Sequence, residues 1–212
     1  MGDGLRRSAT NFPAKVAAKD RFREVTYGEL NDRVNRLANG LLSLGIGRGD
    51  DVAVLVGNRI EHLEIIFATA KIGALAIPLD IKWKALELGS VLAFFKPKAL
   101  ILQPDCLEAF EEARAAHDLT CLKSVVLCDL SYGGLLNGQS TAEPPVAVHE
   151  DDAFAVLLTS GTTGFPKGVM LTHYGILNNG FGVSANTPFA DSTVELPEDE
   201  VFSLYSLNAK KL

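Results

Sequence analysis

The sequence VLLTSGTTGFPKGVMLTH occupies residues 156–173 and joins two apolar runs through a loop of hydroxyl side chains and glycines. The apolar run Phe154–Leu158 leads into this loop. Glycines at positions 161, 164 and 168 allow the backbone to turn sharply and to approach a ligand closely. Because consecutive N–H groups in such a turn form a concave anion site, the stretch predicts an anion-binding loop that follows a buried strand.

Four hydroxyl side chains and one lysine add to the donors of this loop. Thr159, Ser160, Thr162 and Thr163 supply hydroxyl groups, and Lys167 supplies a compact positive charge of the kind that binds phosphate. This set of donors suits the terminal phosphates of a nucleotide. The plain alternative is a hairpin rich in Ser, Thr and Gly with an exposed lysine, which explains the glycines but not four hydroxyls together with a Pro-Lys pair.

Two common nucleotide-binding motifs do not fit this loop. The P-loop has a glycine before its lysine and a magnesium-binding hydroxyl after it, whereas Pro166 precedes Lys167 here and Gly168 follows it. The dinucleotide fingerprint G-x-G-x-x-G does not occur between a predicted strand and a predicted helix. The pattern therefore disfavours a GTPase, a P-loop kinase and a Rossmann dehydrogenase.

Helical segments and continuously apolar segments alternate before the loop. Thr26 and Glu29 form a capping-box pattern, and apolar residues then recur at helical spacing as far as Gly45, which favours a left-handed cap. Apolar strands that alternate with helices predict an α/β fold, a mainly parallel sheet with helices on both faces. The predicted helices are 26–44, 58–72, 83–95 and 105–117, and the predicted strands are 52–56, 75–78, 99–102 and 124–128.

The segments that flank this alternation are less regular. Residues 1–24 read as an irregular lead-in, and residues 129–152, rich in Gly, Ser and Pro, read as a surface excursion that leads the chain to the loop strand. A helix is expected from about His173 to Gly180, then a polar loop over 184–199 and one more strand at Val201–Leu207.

Composition describes an ordinary globular protein. The chain has 212 residues, 47% of them hydrophobic and 22% charged, which is enough for one large or two small domains with a real core. Its net charge of −6 makes nucleic acid a poor partner. Three cysteines, 106, 121 and 128, are odd in number and lack metal-ligand spacing, so we expect free thiols in a reducing compartment. No signal peptide and no transmembrane segment is expected, which favours the cytoplasm.

The loop resembles the signature of the AMP-forming adenylate ligases, the superfamily of acyl-CoA synthetases, peptide-synthetase adenylation domains and luciferases. Residues 158–169, LTSGTTGFPKGV, follow its pattern at about ten fixed positions in a row. Weaker matches at 25–30, 49–53, 58–61 and 71–79 extend the resemblance over roughly residues 12–183. The continuation GVMLTH is most similar to that of acyl-CoA synthetases.

The resemblance implies an incomplete N-terminal part of the acyl-CoA synthetase-like fold and an ATP-dependent ligase. In that family, a carboxylate attacks the α-phosphate of Mg²⁺-bound ATP to give an acyl-adenylate and pyrophosphate, and a thiol, usually coenzyme A, then displaces AMP. It implies that Lys167 neutralises the pyrophosphate and that no residue of this chain is a catalytic group or metal ligand. The residues implied to wrap the phosphates are Thr159, Ser160, Gly161, Thr162, Thr163 and Gly164.

The chain also departs from the family pattern. Where the next motif lines the acyl site, the chain reads SLYSLNAKK at residues 203–211, and the adenine-contacting segment and the C-terminal domain with its catalytic lysine have no counterpart. We therefore expect a partial AMP-binding domain at 25–183 and a truncated continuation at 184–212. Three interpretations stay open: the ATP-binding part of a fatty or other acyl-CoA ligase, a truncated nucleotide-binding pseudo-enzyme that uses a partner chain, and an unrelated α/β protein.

Three residues outside the loop have side chains that could act in catalysis, but a structural role is the better interpretation of each. His173 lies at a strand-to-helix junction, where a histidine is more often a cap or a packing residue. Glu61 and Glu64 share one predicted helix, and we expect them on a solvated face.

A half-domain would also leave an unpaired sheet edge, so we expect the isolated chain to aggregate or to recruit a partner.

Overall fold

The computed structural model describes residues 1–159, 166–186 and 194–195, with Leu130, 180–186 and 194–195 described by backbone alone. A six-stranded sheet forms its centre. Its strands are β3 (Asp51–Leu55), β4 (Leu75–Pro78), β5 (Ala99–Leu102), β6 (Ser124–Leu127), β7 (Ala153–Thr159) and β8 (Lys167–Thr172). They lie in the order β6-β5-β3-β4-β7-β8, and every neighbouring pair is parallel except β7 and β8, which are antiparallel.

Apolar side chains fill a core layer on each face of this sheet. One layer packs Val52, Val54 and Phe154 of the sheet against helices that include α2 (Tyr27–Ser43) and α3 (Ile60–Ile72). The other layer packs sheet residues that point the opposite way against α4 (Ala85–Phe95) and α5 (Leu107–Ala116). The predicted α/β fold with a mainly parallel sheet covered on both faces is confirmed.

Local signals place the ends of these helices. The Thr26 hydroxyl accepts from the Glu29 backbone N–H at 3.2 Å, and the Glu29 carboxylate accepts from Thr26 N at 2.9 Å, which confirms the capping box. Gly45 and Gly73 follow α2 and α3 with φ of 75° and 68°, so both helices end in the left-handed conformation that glycine favours. Each predicted helix is present, although α3, α4 and α5 each begin two residues later than expected.

The expectation of an irregular lead-in over residues 1–24 is wrong. Helix α1 spans Gly2–Asn11, and β1 (Val16–Lys19) pairs antiparallel with β2 (Glu24–Thr26). Leu5 of α1 is buried in the same core layer as α2 and α3. A single apolar anchor on an otherwise polar helix gives little periodic signal, so the sequence pattern hides α1.

Residues 137–150 form a strap that lies along α2 and leads the chain to β7. A row of asparagines spaced four apart on α2 holds it: Asn35 Nδ2 donates to Thr141 O at 2.8 Å, and Asn39 Nδ2 donates to Ser140 O at 2.9 Å. The predicted surface excursion is confirmed for this strap, whereas residues 130–136 before it form α6 (Leu130–Leu136), which packs on α2.

A buried lysine joins the strap to the helices. The Lys71 side chain is 3% exposed, and its ammonium group donates to both Glu143 carboxylate oxygens at 2.8 Å. Asn31 and Asn35 accept from the same group at 2.8 and 2.6 Å. Burial lowers the pKa of Lys71, while the bonds and the charge of Glu143 oppose that shift. The excess charge of a buried ammonium is therefore balanced by a carboxylate of the strap.

The expectation that Glu64 lies on a solvated face is wrong. Its side chain is fully buried, and it accepts from Arg23 Nη2 at 3.0 Å, Arg33 Nη2 at 3.1 Å and the Tyr132 hydroxyl at 2.7 Å. Glu61 lies nearby with 14% of its side chain exposed and pairs with Arg23 at 3.2 Å. Helical spacing alone cannot show that α6 covers this face of α3.

Within the described part of the chain, β8 is an edge strand of the sheet. Among the described residues β8 pairs with β7 alone, and Val169 and Met170 are 43% and 64% exposed. The predicted strand at Val201–Leu207 lies outside the described residues. The short strand β9 (Val194–Glu195) pairs with β1 rather than with β8.

Candidate functional site

The predicted phosphate loop connects the two strands of an antiparallel hairpin. β7 and β8 pair from Ala153 opposite Thr172 to Thr159 opposite Lys167, with one register shift between Ala153 and Ala155. At the end of the hairpin where the loop joins the two strands, the Thr159 hydroxyl donates to Lys167 O at 3.3 Å. The side chains of both residues are exposed. Two predicted site residues, Thr159 and Lys167, are therefore brought directly opposite each other at the two ends of the loop.

The other predicted site residues lie outside the described residues. Ser160, Gly161, Thr162, Thr163 and Gly164 fall in the range 160–165. Their role stays a prediction, while the positions of Thr159 and Lys167 fix where the loop begins and ends.

The loop emerges at the carboxyl edge of the parallel sheet. β7 runs parallel to β4 with Ala155 opposite Ala76, so Thr159 lies at the same edge as the turns that follow β3, β4 and β5. Ligands of open α/β sheets bind at this edge. The fold thus places both ends of a loop rich in hydroxyls and glycine at the edge where such folds hold ligands.

Gly168 serves packing rather than a turn. It lies inside β8, and its φ is not positive. A Cβ atom on Gly168 would come within 2.9 Å of Val156 Cγ1 and 3.0 Å of the Phe95 ring. The expectation that Gly168 lets the backbone turn is corrected: glycine is needed here so that Phe95 of α4 can lie against the sheet.

The end of the hairpin that lies away from the loop is held by the end of the strap. Asp152 pairs with Arg48 and accepts from His149 N at 2.8 Å, while Arg48 Nη1 also donates to Ala147 O at 2.9 Å. The Asp152 carbonyl accepts from His173 N at 3.1 Å. These bonds tie the start of β7 to the end of β8 and to the turn before β3.

His173 is a packing residue, as the sequence predicts. Its side chain is buried with its ring edge against Phe154, 5.3 Å between ring centres. Burial, the nearby amino terminus and a weaker opposing effect of Asp152 bring the pKa of His173 to about 4. The imidazole is therefore neutral near pH 7, and it lies at the end of the hairpin opposite the loop.

Other predicted features can be compared with the described part of the chain. All three cysteines are free thiols there, as expected, and burial raises the pKa of Cys106 to about 11. No group of three or more His, Cys, Asp or Glu side chains in that part is arranged to hold a metal ion. None of its helices combines the length and apolar character needed to cross a bilayer.

The chain belongs to the AMP-binding enzyme family, whose model matches residues 5–207. It is 33% identical over 175 residues to the long-chain-fatty-acid–CoA ligase FadD13 of Mycobacterium tuberculosis, an alignment that covers 82% of this chain and 35% of FadD13. It is 34% identical over 207 residues to a feruloyl-CoA synthase of an Amycolatopsis species, covering 98% of this chain and 40% of the synthase.

A solved structure gives the same result. The N-terminal domain of FACL13 from Mycobacterium tuberculosis superposes with a TM-score of 0.81 at 29% identity, covering 89% of this chain and 47% of that domain. The resemblance to the adenylate ligases is thus confirmed, and so is the expectation of a partial AMP-binding domain. The chain spans about 35–40% of the length of the curated relatives it matches.

The structure also contains features that the sequence pattern does not reveal. They are the asparagine row on α2, the Lys71–Glu143 pair, the carboxylate cluster around Glu64, and a cleft beside the end of β3. The four-residue spacing of Asn31, Asn35 and Asn39 is the one signal in the sequence that points to any of them.

Proposed function

We propose that this chain is the ATP-binding N-terminal portion of an AMP-forming acid–thiol ligase, most similar to acyl-CoA synthetases. The observation that carries the proposal is the hairpin that sets Thr159 opposite Lys167 at the carboxyl edge of the sheet, in a chain of the AMP-binding enzyme family. The overall reaction converts a carboxylic acid and ATP into an acyl-adenylate and pyrophosphate, and the thiol of coenzyme A then takes the acyl group with release of AMP.

The loop residues bind and orient the nucleotide rather than react with it. The backbone and hydroxyl groups of Thr159, Ser160, Gly161, Thr162, Thr163 and Gly164 donate to the β- and γ-phosphates, and the Thr159 hydroxyl gives up its 3.3 Å bond to Lys167 O to do so. The exposed Lys167 ammonium neutralises charge that develops on the leaving pyrophosphate. Positioning of this kind supplies most of the rate enhancement in phosphoryl-type transfers, so no nucleophile or general base is assigned to this chain.

Mg²⁺ enters this proposal as the ion carried by the phosphates of ATP. Aqueous Mg²⁺ keeps several waters and binds through phosphates and one or two protein oxygens. The hydroxyls at the loop end of the hairpin fit such a complex as hydrogen-bond donors. The contribution of the chain is to hold the phosphates of ATP. The catalytic lysine belongs to the C-terminal domain implied by the family resemblance.

A Lys167→Ala variant tests the nucleotide site. Loss of one charge-assisted contact costs about 1.5–3 kcal/mol, so ATP should bind about 10- to 150-fold more weakly. Lys19→Ala removes an equal charge from an exposed side chain of β1 and should leave ATP binding unchanged. Binding is measured by calorimetry on the 212-residue chain, and equal ATP affinity in Lys167→Ala and the unaltered chain would remove Lys167 from the site.

The second function that the sequence leaves open is a nucleotide-binding pseudo-enzyme, or one part of a two-chain ligase that uses a partner chain. Acid-dependent exchange of pyrophosphate into ATP separates these outcomes. Exchange by the 212-residue chain alone favours a ligase, while ATP binding without exchange favours the pseudo-enzyme or the two-chain form.

The organisation and compartment of the protein are further parts of this proposal. We retain a partial AMP-binding unit at 25–183 with a continuation at 184–212 as a proposal; the family model extends beyond both bounds, over residues 5–207, and α1 packs into the same core. Three free thiols support a reducing, cytoplasmic compartment.

A further inference from the structure

Strand β8 presents different residues on its two faces. Gly168 pairs with Leu158, and Leu158 packs in the core layer that α4 and α5 cover. Lys167 pairs with Thr159 one position further along, and the side chains of successive strand residues point to opposite faces of a sheet. Residue 168 therefore faces the core under α4, while the exposed Lys167 side chain projects from the other face at the end of the loop.

The backbone of β8 lies closer to α4 than a side chain at residue 168 would allow. A Cβ atom there would lie 3.0 Å from Phe95 Cε1, 3.1 Å from Phe95 Cζ and 2.9 Å from Val156 Cγ1. Non-bonded carbon atoms in proteins pack at about 3.5–4.0 Å, so no larger residue fits at this distance. The edge of the Phe95 ring thus determines how closely β8 approaches the core.

Phe95 is held in place by the end of its own helix. It is the last residue of α4, and Lys96 after it is left-handed with φ of 50°, while Lys96 N donates to Leu92 O at 2.9 Å. Pro97 then prevents the helix from continuing. The Phe94 ring meets the Phe95 ring edge to face, with 5.0 Å between the ring centres. A ring that is fixed by a helix end and by a second ring is a firm support for a strand.

Strand β8 needs such a support at the loop end of the hairpin. Within the described part of the chain its one strand neighbour is β7, so a single ladder holds it in the sheet. The bond from the Thr159 hydroxyl to Lys167 O, at 3.3 Å, is long for a hydrogen bond between oxygens. Groups that bind a ligand must be held within about 0.5 Å of their working positions. Any displacement of Gly168 passes through one peptide unit to Lys167.

We propose that Phe95 is a positioning residue, whose ring fixes β8 through Gly168 and thereby sets Lys167 in place for the phosphates of a nucleotide. The residue touches no ligand itself and acts through the backbone of β8. The identity of the ligand rests on the function proposed above, whereas the control of the Lys167 position by Phe95 does not.

The first test is NMR of the 212-residue chain without nucleotide. Phe95→Leu removes the edge of the ring, so the backbone amide signals of Lys167 and Thr159 should shift. Phe110→Leu is the matched control, because Phe110 is a fully buried phenylalanine of the same core layer but lies on α5. The control should lower the melting temperature and leave both amide signals in place. Unshifted signals in Phe95→Leu, or equal shifts in the two variants, overturn the proposal.

The second test connects the position of Lys167 to ligand binding by calorimetry with ATP. Gly168→Ala forces β8 away from Phe95 and should weaken ATP binding about tenfold. Gly134→Ala is the control, because an added Cβ on Gly134 would have open space around it, and it should leave ATP binding unchanged. Adding Phe95→Leu to Gly168→Ala makes room for the new methyl group and should restore part of the lost affinity, while Val156 limits the rest.

The outcomes separate a failure of this proposal from a failure of the nucleotide site. Gly168→Ala that binds ATP as tightly as the unaltered chain, or a double variant that binds no better than Gly168→Ala, overturns the role of Phe95 and leaves the nucleotide site intact. An unaltered chain that does not bind ATP overturns the nucleotide function, and the NMR comparison still decides whether Phe95 positions Lys167.

Discussion

Replacing Glu64 by glutamine removes the charge from a carboxylate that is fully buried yet accepts from three side chains. Arg23 and Arg33 each donate to it, and so does the hydroxyl of the buried Tyr132. Burial acts to raise the pKa of Glu64, but Arg33, Tyr132 and Arg23 together outweigh it and hold the pKa below its ordinary 4.5. The native state therefore depends on the ionised form.

We expect Glu64→Gln to lower the free energy of unfolding by about 3 kcal/mol at pH 7. Breaking a buried ion pair costs about 3–5 kcal/mol. The lower end applies because the Arg23 and Arg33 side chains are 30% and 35% exposed and regain water, and because glutamine still accepts from Tyr132.

Urea unfolding at several pH values tests this reasoning. A carboxyl whose pKa is depressed in the folded state stabilises fully above its unfolded value, and that stabilisation is lost as the pH falls through the folded pKa. The difference between Glu64→Gln and the unaltered chain should therefore be full at pH 7 and shrink below about pH 4.5. Glu112→Gln, on the exposed face of α5, is the control and should change stability by less than about 0.5 kcal/mol. A loss under about 1 kcal/mol for Glu64→Gln, or one that stays constant from pH 7 to pH 3, would refute the argument.

Two further predictions concern the strap and the sheet edge. Glu143→Gln leaves the Lys71 ammonium buried without its carboxylate, so the backbone amides of residues 139–147 should exchange hydrogen faster. Glu150→Gln, which alters an exposed side chain, is the control, and equally slow exchange in the two variants would contradict this prediction. Met170→Lys places a charge on β8, whose outer edge pairs with no other described strand, so light scattering should show less self-association. Self-association equal to that of the α5 control Leu107→Lys would show that β8 is not the contact.

The sequence predicts the layered architecture well because local signals agree with it. The capping box at Thr26, the left-handed glycines after α2 and α3, and the continuous apolar runs of β3, β4 and β5 each carry a short-range physical cause. The family pattern likewise locates the loop, and the structure places its two described ends at the expected edge of the sheet.

The sequence predicts less where distant segments determine a residue's environment. Glu64 looks exposed along its own helix but is covered by Tyr132 of α6, 68 residues away. Lys71 looks like a surface residue at the end of α3 but is buried by the strap, 72 residues away. Gly168 looks like a turn residue but is fixed by Phe95 of α4. In each case the deciding contact comes from tertiary packing, which a short periodic pattern cannot encode.

The antiparallel pairing of Thr159 with Lys167 also bears on how this part of the molecule evolves. The two ends of the loop are already held together by a hairpin whose partners extend back to Ala153 and Thr172, so closing the loop adds little conformational entropy cost of its own. Under the proposed function, changes to the residues between these ends would alter ligand preference and leave the folding free energy of the framework nearly unchanged. Recognition and foldability are separable here, which lets one framework acquire new specificities through a few substitutions.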